Sequence, residues 1–286
     1  MSGHLFSYGH GYSAAALAKL LLPANWSITG TTRDPDKALT LRKMRINARV
    51  TPQDDISSDI KNATHLLMSA APTNDGDPFL LNHLQDLKTA QNLEWVGYLS
   101  TTGVYGDHDG GWVDETSPLT PATKRGKARV AAEAQWIKVS EDLGLNLKIF
   151  RLAGIYGPGR GPFAKVRNGT ARRIIKPNQV FSRIHVQDIA QVLLASINRP
   201  KSSQIFNVCD NFAAPPEDVI GYAAELLGLP LPPAQDFEAA DMTPMARSFY
   251  AESKKVKNDR IKSELGVELI YPDYMSGLNA LLASES

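Results

Sequence analysis

Short apolar runs alternate with helical patterns along the first two thirds of this 286-residue chain, and no other feature restricts its fold as strongly. The order of strand, helix, strand, helix is typical of βαβ units, which build a parallel sheet with helices on both faces. The apolar runs predict strands at residues 4–8, 27–32, 48–51, 65–69, 94–100, 146–152 and 204–209. The helical patterns predict helices at residues 13–22, 35–43, 79–90, 121–143 and 185–197. The sequence therefore predicts an α/β protein with a parallel sheet.

Two stretches break this alternation. Residues 159–184 are rich in glycine, proline and basic side chains, and residues 211–286 combine helical patterns with a proline-rich loop. A chain of this length suits one large lobe carrying a smaller one better than a single compact unit. We predict a larger lobe of residues 1–158 and 185–210 and a smaller lobe of residues 159–184 and 211–286, the latter with helices at 216–227 and 253–265.

Composition and charge exclude several classes of partner. Apolar residues make up 43% of the chain and charged residues 21%, as in an ordinary globular protein. The net charge is +1 and the basic residues are interspersed with apolar ones, so we predict no nucleic-acid partner. Cys209 is the only cysteine, and the first segment resembles neither a signal peptide nor a membrane span. We expect a cytoplasmic protein without a membrane partner, and no metal site, because the histidines lack ligand spacing.

A glycine motif follows the first predicted strand. Gly9, His10, Gly11, Tyr12 and Ala14 belong to a GxGxxA sequence that opens the first helix. The first glycine permits a tight turn, the second lets a pyrophosphate approach the backbone, and the small third residue lets helix and strand pack closely. A chance turn also fits the motif, but its position between strand and helix favours a dinucleotide site. The predicted fold is then a Rossmann-type, doubly wound sheet whose larger lobe holds the dinucleotide.

The end of the second strand bears on the choice of dinucleotide. NAD-specific folds place an acidic residue here against the ribose hydroxyls, and NADP-specific folds use arginine on the 2′-phosphate. Here Arg33 follows two threonines, which predicts NADP rather than NAD. Two alternatives stay open: Arg33 as a solvated surface residue, and Asp34 on a ribose. His10 is a second candidate for the phosphate, or else an exposed loop histidine.

Four runs, in order along the chain, support a family assignment. Residues 100–106 read S-T-x-x-V-Y-G, residues 151–159 read R-x-x-x-x-Y-G-P-G, and residues 183–188 and 206–208 follow as R-x-H-V-x-D and F-N-V. Together they resemble the extended short-chain dehydrogenase/reductase superfamily, the group of NAD-dependent epimerases and dehydratases. The resemblance implies about seven parallel strands, a dinucleotide across their carboxyl edge, and a C-terminal substrate lobe that takes a small molecule. It also implies a homodimer through residues 121–143.

The residues of this site are predicted partly from the motifs and partly from the resemblance. Besides the GxGxxA motif and Arg33, cofactor contacts are predicted at Ser69, Gly154 and Pro158. The resemblance places Thr101 at the substrate hydroxyl, although a strand-end hydroxyl that bonds backbone has an equal claim.

The catalytic tyrosine of the family has no counterpart here. The family uses a tyrosine and, four residues later, a lysine on the nicotinamide ribose. Aligned on residues 118–121, this chain has Thr123 and Lys127 instead, and a threonine hydroxyl is too weak an acid to replace a phenol. Thr123 would then orient a substrate or a water.

Other tyrosines do not restore the missing group. Tyr250 and Lys254 have the right spacing but lie in the smaller lobe, and Tyr105 and Tyr156 at strand ends are more often packed than catalytic. Two functions therefore stay open. One is an NADP(H)-dependent oxidoreductase or an epimerase/dehydratase-like enzyme acting on a carbonyl, an alcohol or a nucleotide sugar, and the other is a non-catalytic NADP(H)-binding sensor or scaffold.

Overall fold

The protein is seen in a computed structural model that describes residues 3–285. From the N-terminus to the middle of the chain the elements are β1 (His4–Tyr8), α1 (Tyr12–Leu21), β2 (Ser27–Thr32), α2 (Pro35–Lys43), β3 (Asn47–Val50), α3 (Ser57–Asn62), β4 (His65–Met68), α4 (Pro78–Thr89), β5 (Trp95–Thr101), β6 (Trp112–Val113), α5 (Lys124–Leu143) and β7 (Leu147–Leu152). The remaining elements are β8 (Gly154–Tyr156), α6 (Phe163–Arg167), β9 (Arg173–Ile175), β10 (Arg183–His185), α7 (Val186–Ile197), β11 (Ile205–Val208), α8 (Pro216–Leu226), β12 (Ala234–Asp236), α9 (Pro244–Phe249), β13 (Lys255–Val256), α10 (Asp259–Ser263) and α11 (Tyr274–Glu285).

The central sheet has seven strands in the order β11-β7-β5-β4-β1-β2-β3, and all neighbours run parallel. Each of these strands lies within one residue of its predicted bounds, so the predicted α/β Rossmann-type architecture is confirmed. The strand order reverses between β1 and β4. In sheets of this kind, ligands bind at that reversal, outside the carboxyl ends of the strands.

Helices cover both faces of the sheet, because most of its strands carry apolar residues on both sides. One core cluster joins the sheet to α1, α2 and α7, and a second joins it to α3, α4 and α5. In the second cluster the Trp136 ring of α5 stacks on Phe79 of α4 with 5.8 Å between centroids. Burying each large side chain in this way contributes roughly 1.5–3 kcal/mol.

A third core cluster belongs to the smaller lobe, where α6, α8 and α11 pack together. The predicted helix at 253–265 is wrong in its first half: residues 255–256 form β13, which pairs with β6, and only Asp259–Ser263 is helical. The backbone N–H groups of Lys255 and Lys257 donate to Gly111 and Val113, which leaves no helical pattern there.

Part of the predicted smaller lobe packs with the sheet, and the predicted bounds of the two lobes stay a prediction. Val256, Ile261, Leu265 and Val267 belong to the cluster around the sheet, although they fall in the predicted smaller lobe. Residues 1, 2 and 286 of the predicted bounds lie outside the described residues.

Across residues 3–285, no helix combines the length and the apolarity that a membrane crossing requires.

Candidate functional site

The turn between β1 and α1 is built around Gly9, whose φ is +80°. A β-carbon on Gly9 would lie 3.0 Å from the backbone nitrogen of Ala70, and L side chains rarely adopt this backbone conformation. The Gly9 N–H donates to Thr31 Oγ1 at 2.7 Å, which ties the turn to β2. The protein itself therefore requires glycine at position 9.

Gly11 has a different reason to be glycine. It is the N-cap of α1 in extended conformation, and no side chain caps the helix. A β-carbon on Gly11 would meet only the Gly9 oxygen at 3.7 Å and Ser69 Oγ at 4.0 Å, which are ordinary contacts. Packing therefore tolerates a side chain at position 11, while the uncapped N–H groups and the positive end of the helix dipole suit a phosphate. Together with fully buried Ala14, this turn fits a dinucleotide pyrophosphate.

His10, between the two glycines, is only 1% exposed, so its alternative as an exposed loop histidine is wrong. Burial, and secondarily the Lys37 ammonium, lower the pKa of His10 to about 4, so its ring is neutral at pH 7. Neither ring nitrogen has a hydrogen-bond partner among residues 3–285.

Tyr12 and Pro158, both predicted cofactor contacts, lie together. The Tyr12 hydroxyl donates to the Pro158 carbonyl at 2.9 Å. Gly157 admits this contact, because a β-carbon there would lie 2.5 Å from the Tyr12 oxygen. Ser69 is half-buried at the end of β4, beside Gly11, whereas Gly154 is exposed on β8. Their contact with a cofactor stays a prediction.

At the end of β2, Arg33 is exposed and has no hydrogen-bond or ion-pair partner in the described part of the chain. Asp34 caps α2: its Oδ1 accepts from Asp36 N at 2.9 Å and from Lys37 N at 3.3 Å. The carboxylate that competed with Arg33 for a ribose is therefore engaged by the helix. The arginine remains free.

Thr101 ends β5 at the same edge of the sheet and is half-buried. Its oxygen accepts a hydrogen bond from Gly103 N at 3.2 Å, which is the backbone role that the sequence left open. The Thr101 proton has no acceptor among residues 3–285. Ser100, by contrast, donates its proton to the Glu133 carboxylate.

Helix α5 presents Arg129 to the sheet rather than Lys127. Its inward face carries Gly126, Glu133, Trp136 and Ser140, at helical spacing. Arg129 follows the same face: its Nη1 donates to Leu99 O at 2.8 Å and to Tyr98 Oη at 3.0 Å, both residues of β5.

The two residues that sequence reasoning chose lie elsewhere on this helix. Lys127 is exposed, and the Thr123 oxygen accepts from Gly126 N at 3.0 Å as the N-cap of α5. Their catalytic roles stay predictions. Sequence reasoning missed Arg129. The signal that could have found it is its helical spacing from Gly126 and Glu133.

Beneath Thr101 lies a buried ionic network that sequence reasoning also missed. Arg151 of β7 binds the Glu133 carboxylate with Nη2 at 2.8 Å, and both side chains are at most 3% exposed. Arg151 Nη1 donates to the Tyr105 hydroxyl at 3.0 Å, which in turn donates to Asn207 Oδ1 at 2.6 Å. Such a pair is compensated only while both partners are present.

Tyr105 and Tyr156, two of the tyrosines considered from the sequence, are buried and hydrogen-bonded. Burial raises the pKa of Tyr105 to about 12, against the opposing effect of Arg151. Burial also raises the pKa of Tyr156, which is 7% exposed and donates to Asp273 O at 3.3 Å. Tyr250 follows α9, and Lys254 pairs with Glu252 at 2.8 Å. Tyr105 and Tyr156 are therefore packed.

Known proteins resemble this chain over nearly all of its length. A model of the NAD dependent epimerase/dehydratase family matches residues 9–209. A functionally unknown conserved protein from Silicibacter pomeroyi DSS is 57% identical, with a TM-score of 0.94 and 99% of each chain covered. Protein YeeZ of Escherichia coli (strain K12) is 29% identical over 278 residues, 93% of this chain and 95% of that protein.

A nucleotide-sugar enzyme shares the fold at lower identity. The UDP-glucuronic acid 4-epimerase of Bacillus cereus, solved in complex with UDP-glucuronic acid and NAD, is 15% identical, with a TM-score of 0.77 over 99% of this chain and 100% of that one. The family assignment agrees with two features of the structure, the turn at Gly9 and Gly11 and the reversal of strand order between β1 and β4. The chain belongs to the NAD dependent epimerase/dehydratase family, which confirms the predicted resemblance.

Proposed function

We propose that this protein is an NADP(H)-dependent, epimerase- or oxidoreductase-like enzyme that acts on an alcohol or carbonyl carbon of a small molecule, with nucleotide sugars as the first class to test. The observation that carries the proposal is the start of α1 at Gly11, which no side chain caps. The space beside Gly11 is open, because a β-carbon there would make only ordinary contacts. A phosphate is the group that such a helix start accommodates.

The preference for NADP(H) rests on the end of β2. Arg33 is exposed and unpaired within the described chain, whereas the Asp34 carboxylate caps α2. A free guanidinium can bind a phosphate with two parallel hydrogen bonds. The Asp34 carboxylate repels that phosphate less than a free carboxylate would, because it accepts hydrogen bonds from the N–H groups of α2. The Bacillus cereus epimerase was solved with NAD. The proposed cofactor of this chain differs from NAD by the phosphate on the adenosine ribose.

The residues at the end of β5 supply polar groups for the reaction. A nicotinamide dinucleotide, when bound, accepts or donates a hydride. The Thr101 hydroxyl has a proton free to donate to a substrate oxygen, and it is held in place by Gly103 N. Arg129 uses only Nη1 for Leu99 and Tyr98, so its remaining N–H groups stabilise negative charge on a substrate oxygen. Because arginine stays protonated, the proton itself comes through water.

A second candidate function is a non-catalytic NADP(H)-binding sensor. It is favoured by one observation: α5 carries no tyrosine, and Tyr105 and Tyr156 are buried and hydrogen-bonded. The first candidate is preferred because Thr101 ends β5 at the edge where ligands bind in this fold, and Arg129 of α5 donates to Leu99 O, two residues before that end.

One experiment tests both candidates. Purified protein is titrated with NADPH and NADH by calorimetry and then assayed with nucleotide sugars, aldehydes, ketones and alcohols. The enzyme reading expects NADPH binding and a turnover that falls about 10²-fold in Arg129→Met. Lys127→Ala tests the sequence-based prediction, and Lys138→Ala, on the exposed side of α5, is the matched control. NADPH binding without turnover selects the sensor, and binding of neither dinucleotide contradicts both.

A further inference from the structure

Residues 237–250, which include α9, are tied together from within. The Arg247 guanidinium of α9 donates through Nη2 to Ala240 O at 2.9 Å and to Phe237 O at 3.2 Å, and its Cζ lies 4.6 Å from the centre of the Phe237 ring. The Tyr250 ring packs against the same phenylalanine with 5.3 Å between centroids. Because these contacts close the 237–250 segment on itself, we expect it to move as one unit.

Little of the 237–250 segment is buried. Ala240 is its one buried residue, and Met245 and Phe249 of α9 are 64% and 53% exposed. Segments that bury so little apolar surface open at a low cost in free energy. Firmer contacts stand beyond its two ends: β12 pairs with β9, and Gln179 Nε2 donates to Glu252 O at 2.8 Å. The segment is therefore a loosely packed unit between two fixed ends.

Phe249 joins the 237–250 segment to α5. The Arg125 guanidinium, in the first turn of α5, lies 5.5 Å from the centre of the Phe249 ring. Gly126, the next residue, lies against the turn after β5, since a β-carbon there would be 2.9 Å from Gly103 O. Gly103 N donates to Thr101 Oγ1 at 3.2 Å. The contact of Phe249 with Arg125 therefore lies next to the end of β5.

This contact has the strength that a reversible closure requires. Both Arg125 and Phe249 are exposed, and an exposed cation–π contact shifts an equilibrium by about two- to fivefold. Such a contact favours a closed arrangement but breaks readily. Motions of loops that open and close over a site take microseconds to milliseconds and often limit ligand release.

We propose that the 237–250 segment is a lid over the end of β5, that the contact of Phe249 with Arg125 holds it closed, and that it opens to admit and release the nicotinamide end of the dinucleotide. The inference rests on the proposed function, in which the reaction takes place at Thr101. A closed lid excludes water from that end of the cofactor, which strengthens the electrostatic interactions of Thr101 and Arg129 with a substrate oxygen.

The first test locks the lid. Arg125→Cys and Phe249→Cys are combined, the reduced dinucleotide that binds more tightly is added, and the two thiols are joined by a short bis-methanethiosulfonate reagent whose link dithiothreitol releases. Cys209 does not compete, because it is fully buried and donates to Val256 O. Stopped-flow fluorescence of the dinucleotide measures its release. We expect release at least about tenfold slower in the linked protein, and a return to the unlinked rate after dithiothreitol. Each single-cysteine variant, treated with the same reagent, is the control.

The second test weakens the closing contact. Phe249→Ala and Arg125→Met each remove it, so we expect release of the dinucleotide to be about two- to fivefold faster than in wild type. The double variant should be no faster than either single variant, because both substitutions break the same contact. Met245→Ala, exposed on the same helix, is the matched control and leaves the rate unchanged. Because all three side chains are exposed, we expect these variants to fold, and thermal melting verifies this.

Failure of the lid differs from failure of the proposed function. The lid is overturned, and dinucleotide binding stands, if the reagent does not join the two positions, if the link leaves release unchanged, or if Phe249→Ala and Arg125→Met release the dinucleotide at the wild-type rate. If wild-type protein binds neither NADPH nor NADH, the proposed function and the lid are both overturned.

Discussion

Sequence motifs predict the structure better at one end of the carboxyl edge of the sheet than at the other. At the β1–α1 end, the turn of Gly9 and Gly11 has the geometry that its sequence motif predicts. At the β5–α5 end, the alignment on residues 118–121 chose Thr123 and Lys127, whereas the structure directs Arg129 toward the strand. Prediction at the β1–α1 end depends on the backbone conformation of single residues. Prediction at the β5–α5 end depends on which face of a helix points to the sheet.

That difference has a physical cause. A positive φ at Gly9 is a property of one residue, so the residue type reports it directly. The face of a helix, however, turns by 100° per residue, so a shift of two residues moves a side chain from the sheet to the solvent. A motif at the start of a strand–turn–helix unit therefore transfers between proteins more safely than a motif within a helix.

The largest expected effect tests the buried network at the β5–α5 end. Glu133→Ala leaves Arg151 buried without its carboxylate, so we expect a loss of about 3–5 kcal/mol in the free energy of unfolding. Urea unfolding measures it. Lys138→Ala, which removes an exposed pair with Asp142, is the control and costs less than about 1 kcal/mol. Equal losses of unfolding free energy in the two variants would mean that the pair of Glu133 and Arg151 does not stabilise the packing of α5 on the sheet.

The second effect separates binding from stability at the β1–α1 end. Gly11→Asp supplies the missing N-cap of α1, so melting is unchanged or slightly higher, but its carboxylate occupies the space of the pyrophosphate. Affinity for NADPH is expected to fall at least about 100-fold, close to 2.7 kcal/mol. Calorimetry and thermal melting on the same sample measure both. A variant that still binds NADPH like wild type would remove this turn from the site.

The third effect concerns Asp210, which follows β11 at the far end of the same edge. Burial raises the pKa of this carboxyl group to about 7, against a backbone hydrogen bond from Phe212 and the Arg183 charge, which lower it. The native state therefore binds a proton that the unfolded state releases between pH 4 and 7, and native stability falls as the pH rises through that window.

Asp210→Asn removes this titration. Relative to wild type, the variant should gain about 2–3 kcal/mol in the free energy of unfolding between pH 5 and pH 8. Unfolding curves at the two pH values measure the gain. A difference that does not change with pH would show that the carboxyl group titrates normally in the folded protein.

The smallest effect tests whether Thr123 is a cap or a reacting group. Thr123→Ala removes the hydrogen bond to Gly126 N, so we expect a loss of about 1 kcal/mol in stability. Turnover, if present, should remain within a factor of two or so, because other residues bind the substrate. Thr123→Ser, which keeps the cap, restores the stability. A large fall in turnover with unchanged stability would support the sequence-based role instead.

Sequence patterns predicted most of the fold because most strands are short apolar runs bounded by loop residues. They failed at residues 253–258, where pairing of β13 with β6 overrides the local helical pattern. Burial of His10 was not visible in the sequence, because it depends on Gly30, twenty positions away. The network of Glu133, Arg151 and Tyr105 joins three distant segments, so no local motif reports it.

The central claim is that the turn between β1 and α1 holds the pyrophosphate of NADP(H). A crystal structure of the protein grown with NADPH tests it most directly. We expect pyrophosphate oxygens within hydrogen-bond distance of the first N–H groups of α1, and the ribose phosphate beside Arg33. NADPH bound elsewhere, or a turn at Gly9 and Gly11 without density in crystals of a protein that binds NADPH in solution, would contradict the account.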